Sequence, residues 1–510
     1  MQGRVIARNT LFNLLGLGLP LVVALVAVPV ILDGMGPERF GLLGLVWVAL
    51  GYLQLLDLGL GRAVTRHAAR AMEAREPHVL AAVVRATSVA QVVLGVLGGA
   101  LLALLAPALA GRWLEISPAL VGEATRSFML LGVAAPLLLL ANTYRGVLEA
   151  GQRFDVVNAV RLPASLLNYA VPMAGALYGW SLPFIVGVIL AGRVLMLVGY
   201  VIAARRLWPA PAPLEVSARD LLPQLVGYGG WVTVSSLISP LLVYLDRFVI
   251  GLVASVTAVG YYTAPHEMVT RLSILPSSLA ATLFPAFAVV DAGRADDQTR
   301  RAQAERLAVR AVKYLLVATL PLLVVLFALA DELLRAWLGS DFAANAALPL
   351  RVLAVGMAFN AIAYVPHSML QATGRPDVTA KIHMLELPLH VAALWLLVGR
   401  WNVAGAALAW SARAALDAML LFAAAARLRL LSPGALFGQR LPLVLMAALG
   451  FALALLAVAA RAQELADAVL PATLLVAAWM LGAWRFALDG TERSQLTGVL
   501  ARRRAGVVQP

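Results

Sequence analysis

The chain has no cysteine. Disulfides, thiolate metal sites and a cysteine nucleophile are therefore excluded. Charge is scarce as well: Asp, Glu, Lys and Arg make up 13% of 510 residues, against 62% apolar. With a mean hydropathy of +0.86, this is not the composition of a water-soluble protein, because each ionisable group placed in hydrocarbon costs several kcal/mol. Acidic residues are the scarcer sign, 27 against 40 basic ones, leaving a net charge of +13. In a soluble chain that excess would suggest nucleic acid. Here no basic and aromatic residues interleave in a stripe, and the excess reads as loop arginine facing anionic lipid. No nucleic-acid partner is expected. A Gly-rich nucleotide loop is missing too, so no visible motif makes ATP the energy source. The six histidines show no metal-ligand spacing, and no metal or cofactor is predicted.

What is present is a series of long apolar runs. A helix needs about 20 apolar residues to cross a bilayer, and fourteen stretches qualify. The first six are Leu11–Leu32, Phe40–Leu60, Leu80–Ala106, Ser127–Tyr144, Val156–Leu177 and Leu182–Ala204. The next six are Leu222–Val253, Val259–Val289, Val309–Ala330, Leu350–Leu370, Val378–Val398 and Val403–Ala426; Leu441–Ala460 and Ala468–Phe486 follow. The N-terminal segment lacks a small-residue cleavage pattern and reads as a retained first span. With the N-terminus inside, cytoplasmic segments hold 29 of the 40 Lys+Arg and external ones eight, while Arg193, Arg271 and Arg413 fall mid-span. That bias predicts an even number of spans with both termini cytoplasmic.

The runs repeat. Leu148–Val156 reads LEAGQRFDV and Leu370–Val378 reads LQATGRPDV, 222 residues apart. Phe40-Gly41-Leu42-Leu43 has its counterpart in Val259-Gly260-Tyr261-Tyr262, 219 residues on. Two homologous membrane halves are the sequence signature of a transporter that alternates its access. Between them Trp208–Ala218, WPAPAPLEVSA, cannot continue a helix and reads as an extended linker. The predicted fold is an all-α integral membrane protein with fourteen transmembrane helices. Its N-terminal six-helix lobe is 1–207, its cytoplasmic linker 208–218 and its C-terminal six-helix lobe 219–430. Two extra helices and a tail fill 431–510. No loop exceeds roughly 20 residues, which leaves no room for a soluble catalytic domain.

Two stretches carry a family resemblance: NTLFNLLGLGLP…VPVILDGMGPERFGLLGL from Asn9 to Leu45, and LLDLGLGRAVTRHAAR from Leu55 to Arg70. The second fits a pattern through Asp57, Gly59, Gly61, Ala63 and Arg66. DRFVIG at Asp246–Gly251, followed by VGYYTA at Val259–Ala264, resembles the start of the second half of the same family. The chain resembles bacterial polysaccharide flippases of the O-antigen type, in the polysaccharide-transport branch of the multidrug/oligosaccharidyl-lipid/polysaccharide (MOP) exporter superfamily. The closing two helices match in number more than in motif. The resemblance implies a non-enzymatic flippase in the bacterial inner membrane. It would move a lipid-linked oligosaccharide of the undecaprenyl-pyrophosphate type to the outer leaflet, among membrane lipids and beside polysaccharide polymerase or assembly proteins. A cation-coupled drug exporter and a lipid II flippase of the same superfamily remain open. So does a membrane glycan polymerase or ligase, although the short external loops argue against it.

An anionic, sugar-bearing head group needs cationic and hydrogen-bonding side chains inside the spans, so in-span charges are the candidates. In span eight Thr263, Glu267, Thr270, Arg271, Ser277 and Ser278 share one helical face, interrupted by Ile274. Arg271 and Glu267 are candidate cavity residues; the alternative is an i,i+4 pair that neutralises itself. Asp246 and Arg247 either meet the head group and an ion or form an interfacial pair that snorkels outward. Arg193 and Arg413 occupy matching helices, offset by 220. Asp417 lies four residues after Arg413 and offers partial neutralisation. Asp57, Arg62, Arg66 and Arg145 cluster at cytoplasmic helix ends, either as topology anchors or as a mouth that collects pyrophosphate. Asp246, Glu386 and Asp417 are candidates for coupling to an ion, H+ or Na+. His383 and His390 flank Glu386 on one face and suggest either a relay or satisfied buried histidines. Asp155 and Asp377 are expected to cap spans five and eleven.

Overall fold

The structure, a computed structural model, describes residues 2–58, 60–151, 153–207, 242, 245–291, 297–432, 434–435, 441–462, 464–488, 490 and 493. No strand occurs among these residues. They form helices α1 (Gln2–Leu55), α2 (Leu60–Glu73), α3 (Pro77–Ala108), α4 (Val121–Ala150), α5 (Phe154–Tyr178) and α6 (Leu182–Leu207). After a helical segment at 245–253 come α7 (Val256–Thr270), α8 (Ile274–Asp291), α9 (Asp297–Ala328), α10 (Ala330–Leu338) and α11 (Ser340–Ala372). The last three are α12 (Pro376–Arg427), α13 (Leu441–Ala459) and α14 (Leu465–Gly482). Among the described residues, eight helices are long and apolar enough to cross a bilayer.

Two of these elements are pairs of helices joined end to end. α1 turns at Gly36, whose φ of 76° is open to glycine and costly for a side chain. α12 turns at Asn402, at φ 51° and ψ −128°. The long polar run of span eight also breaks: Arg271–Ser273 form one 3-10 turn between α7 and α8. Pro276 has no N–H to return to the Leu272 carbonyl, which removes one rung of the α-helical ladder at this point.

The chain divides into two compact units, Met1–Gly260 and Tyr261–Pro510. The seam expected at Trp208–Ala218 lies outside the described residues, as does most of span seven. In the first unit α3 packs along α4, α1 along α5, and α4 against α2 and α6. Its core is rich in small side chains, among them Ala63, Ala68, Ala82 and Ala86 around Val64, Val83 and Tyr200. Small residues let membrane helices approach closely where lipid supplies no hydrophobic drive. The tightest case joins the two repeated glycines. A Cβ on Gly41 would run into the Val256 carbonyl, and one on Gly260 into the Pro37 carbonyl. Nearby loops are laced together: the Glu115 N–H donates to the Gly251 carbonyl at 3.0 Å, and the Val256 N–H to the Glu115 carbonyl at 3.1 Å. Arg39 Nη2 donates to Glu123 Oε1 at 2.8 Å, and the Leu182 N–H to Glu123 Oε2 at 3.1 Å.

In the second unit α11 is central, packing on α8, α9, α10 and α12. α13 and α14 dock onto α9 through Phe451, Leu455 and Trp479. The Trp479 indole N–H donates to the Val317 carbonyl at 3.0 Å, which gives a buried polar atom its partner.

The sequence repeat folds as a repeated turn. The Arg153 N–H donates to the Leu148 carbonyl at 2.9 Å, and the Arg375 N–H to the Leu370 carbonyl at 2.9 Å. In both copies the helix N-cap position falls on the arginine, and the aspartate lies in the first turn. Asp155 and Asp377 therefore do not cap. They pair with Arg153 at 3.0 Å and Arg375 at 3.1 Å. The hydrogen bond from Arg153 holds the Asp155 carboxyl below its usual range.

Candidate functional site

The densest group of buried charge lies in the second unit, at the hairpin of α12. Its first arm carries His383, Glu386 and His390 at helical spacing, and all three are buried. Its second arm carries Arg413 and Asp417, also buried. The turn at Asn402 folds the arms together. Arg413 Nη1 then lies 3.8 Å from Glu386 Oε2, and His383 Nε2 lies 3.7 Å from Asp417 Oδ1. One ligand atom each from His383, Glu386 and Asp417 falls within 4.8 Å of the others. Glu386 is wholly buried, and neither of its oxygens accepts a hydrogen bond. α11 closes the group: the His367 ring stacks on His383 at 5.9 Å, and Gln371 Nε2 lies 2.9 Å from His367 Nε2. Ser411 donates to the Val352 carbonyl at 2.8 Å and holds the second arm against α11. The Arg413 guanidinium lies 5.9 Å from the Trp410 ring, whose other neighbour is His266 at 5.7 Å.

The structure thus brings together Arg413, a candidate cavity residue by sequence, with Glu386 and Asp417, the candidates for ion coupling. Arg413 reaches across the hairpin to Glu386, 27 positions away, a contact that helical spacing does not display. His367, Gln371 and Trp410 complete the group and escape a reading confined to charges within a single span.

Arg193 repeats the arrangement in neutral form. Its Nη2 lies 3.3 Å from Asn168 Oδ1, joining α6 to α5, as Arg413 joins the arms of α12. Asn168 is 218 residues before Glu386 and Arg193 is 220 before Arg413, so the repeat offset was a signal for both partners.

Arg271 and Glu267 form an ion pair of 3.0 Å, with side chains 40% and 35% exposed. The pair sits at the 3-10 break between α7 and α8. Ser277 and Ser278 are exposed, and each donates to the Ile274 carbonyl, at 3.2 and 2.6 Å. Asp246 and Arg247 are both buried within the first unit. The backbone N–H of Arg247 donates to Asp246 Oδ1 at 2.9 Å.

Asp57 accepts two hydrogen bonds from the Gly61 N–H, at 3.1 and 3.2 Å, and further ones from Gln91 and from Asn142 at 3.3 Å. It thus ties the start of α2 to α3 and α4, and Gln91 and Asn142 are partners that local sequence does not announce. Arg145 Nε lies 3.6 Å from Glu149 Oε1, one helical turn away. Arg62 and Arg66 lie outside the residues whose side chains are described.

Solved structures share this fold. A multidrug resistance MATE family transporter of the MOP superfamily, in an inward-facing conformation, superposes with a TM-score of 0.68 at 16% identity, over 82% of this chain and 98% of its own. The lipid II flippase MurJ, in an inward closed conformation, gives 0.69 at 14% identity, over 93% of this chain and 99% of its own. Fold and composition together define a multi-pass, all-helical membrane protein with the fold of these transporters. Residues 6–290 match the family described as "Polysaccharide biosynthesis protein", and the chain belongs to it. A curated relative from Shigella flexneri, described as "Putative O-antigen transporter", is 29% identical over 420 residues, covering 82% of this chain and 96% of the relative.

Proposed function

We propose that this protein is a flippase of the bacterial inner membrane. It carries a polyprenyl-pyrophosphate-linked oligosaccharide from the cytoplasmic to the outer leaflet by alternating access, for cell-surface polysaccharide synthesis. The observation that carries this reading is the match, nearly end to end, to the relative described as an O-antigen transporter. In this reading fourteen spans form two six-helix lobes, 1–207 and 219–430, plus two helices in 431–510, with both termini cytoplasmic. The double helices α1 and α12 support that count, since each turns at one residue, Gly36 or Asn402, and so offers two helices for two crossings.

The half-exposed Arg271–Glu267 pair is the head-group site. A guanidinium at a helix break presents a forked donor to phosphate, and the break leaves backbone free to line a cavity. Glu267 keeps Arg271 oriented while the site is empty, and pyrophosphate then competes for it. Arg62, Arg66 and Arg145, with Asp57 holding the start of α2, form the cytoplasmic mouth that first collects the head group. Buried Asp246 and Arg247, with Arg193, contribute polar surface deeper in the bundle.

The drug-exporter alternative is weaker, because the lipid II flippase fold extends over 93% of this chain and the MATE fold over 82%. Proteoliposomes loaded with fluorescent lipid-linked oligosaccharide test the choice. Translocation of the glycan is expected; export of cationic drugs with no glycan movement would overturn the proposal.

A further inference from the structure

We propose that the arginine-rich end of the second unit, where the start of α9 meets the end of α12, binds the phosphate of an anionic phospholipid through Arg301, Arg306, Arg427 and Arg429. This lipid stays in the bilayer as a bound neighbour, so the site goes beyond the transport reading and does not depend on it.

The two helix ends are held together. The Ser432 N–H donates to Glu305 Oε1 at 2.9 Å. Ser432 lies three residues past Arg429, and Glu305 directly precedes Arg306. Ala304 and Leu307 of α9 share one apolar cluster with Leu430 and Leu431. Between 297 and 310 the chain carries four arginines against Asp297 and Glu305, and Arg427 and Arg429 add two more. Arg301, Arg306, Arg427 and Arg429 are exposed. Arg306 Nε donates to the Ala302 carbonyl of its own helix at 3.1 Å. Among the described residues no carboxylate pairs with Arg306, Arg427 or Arg429. Such a surface complements a net negative head group, and guanidinium forks match phosphate oxygens.

The depth is right for a head group. α9 has 32 residues, a length of about 48 Å at the α-helical rise, against a hydrocarbon core of about 30 Å. Its first turns precede the apolar span that opens at Val309, so their arginines stand at head-group level. In the predicted topology that leaflet is the cytoplasmic one.

The backbone at Arg429 is what a simple topology signal does not explain. Arg429 lies at φ 57°. Its N–H donates to the Ala426 carbonyl and that of Leu430 to the Ala425 carbonyl, both at 2.9 Å. This is a helix-ending turn whose left-handed position is ordinarily glycine, and a side chain there is strained where glycine is not. Charge bias across a membrane asks for arginine in the segment, not at this position. Strain held at one residue points to a use for its side chain. α2 ends in the same turn, with Arg75 at φ 57°, but Glu73 and Glu76 flank that arginine and balance it. Arg429 has Leu428 and Leu430 beside it and Arg427 before them, which leaves its charge for a partner outside the chain.

The test melts the purified full chain in dodecyl maltoside, with and without added phosphatidylglycerol. The lipid is expected to raise the melting temperature, phosphatidylcholine to raise it little, and salt to erode the difference. Arg429→Gly relieves the backbone, so it should melt at or above the parent without lipid and lose most of the phosphatidylglycerol shift. Arg306→Gln combined with Arg427→Gln should lose it too, with the turn at Arg429 untouched. Arg400→Gln, at an exposed arginine beside the Asn402 turn and so at the other end of the α12 arms, should keep it. A full shift retained by Arg429→Gly overturns the proposal. So do equal shifts from phosphatidylcholine, or a shift reproduced by inorganic phosphate alone, which would make the site one for a free anion. A shift that follows these arginines in a protein that moves no glycan would overturn the flippase reading and leave the lipid site standing.

Discussion

Arg413 and Arg193 hold the same place in two copies of one hairpin, and their partners separate them. Arg193 meets a neutral amide, while Arg413 meets a carboxylate in a space that water does not reach. Removing one member of a buried ion pair leaves the other uncompensated, at a cost of about 3–5 kcal/mol. Arg413→Met should therefore lower the melting temperature sharply. Adding Glu386→Leu to it should restore much of the loss, and a double-mutant cycle from intrinsic-fluorescence melts in detergent reads the coupling. Simple additivity would show that the two side chains do not interact. Arg271 is a different case. Its pair with Glu267 is over a third exposed, so its stability contribution is about 1 kcal/mol or less. Arg271→Ala should insert and melt almost as the parent does, yet abolish surface polysaccharide in a complementation assay. Export at normal levels from that variant would remove Arg271 from the head-group site.

Among the elements, breaks matter more than lengths. The apolar runs announced the helices, because a bilayer demands length and hydrophobicity and little else. The residues at which a run reverses were less legible: Gly36 and Asn402, both non-helical, turn one helix directly into the next with no intervening loop. The charges Glu386 and Arg413 were visible one by one, but their meeting depends on that reversal. Helical spacing offered Asp417 as the arginine's partner instead. Asp155 and Asp377, expected at the N-cap, lie two positions inside the helix for a similar reason. The repeat fixed the turn, and which residue begins the helix depended on backbone bonds to Leu148 and Leu370. The break at Arg271–Ser273, by contrast, follows from Pro276, which stands in the sequence. Pro276→Ala supplies the missing N–H and should extend α7 into α8, rotating Arg271 away from its present direction. We expect folded protein with export reduced several-fold, read by glycan translocation in vesicles alongside circular dichroism. Unchanged transport would mean that the 3-10 turn does not position Arg271.

For the whole molecule the defining property is a duplicated chain whose copies have diverged chemically. Repeated turns at Leu148 and Leu370 preserve the scaffold, and the paired glycines Gly41 and Gly260 keep a close helix crossing within the first unit. The ionisable cluster of α12 belongs to the second unit alone. A transporter also requires a definite orientation in the bilayer. In the predicted topology most basic residues, Arg153 and Arg375 among them, fall in the segments assigned to the cytoplasm. The absence of cysteine makes this directly measurable, since any introduced thiol is the sole one in the chain. Glu76 and Ser340 are both exposed and sit at opposite ends of predicted spans. In intact spheroplasts, Ser340→Cys should react with a membrane-impermeant maleimide and Glu76→Cys should react only after permeabilisation. Labelling of both without permeabilisation would break the predicted alternation of spans. Labelling of Glu76→Cys alone would invert the predicted topology.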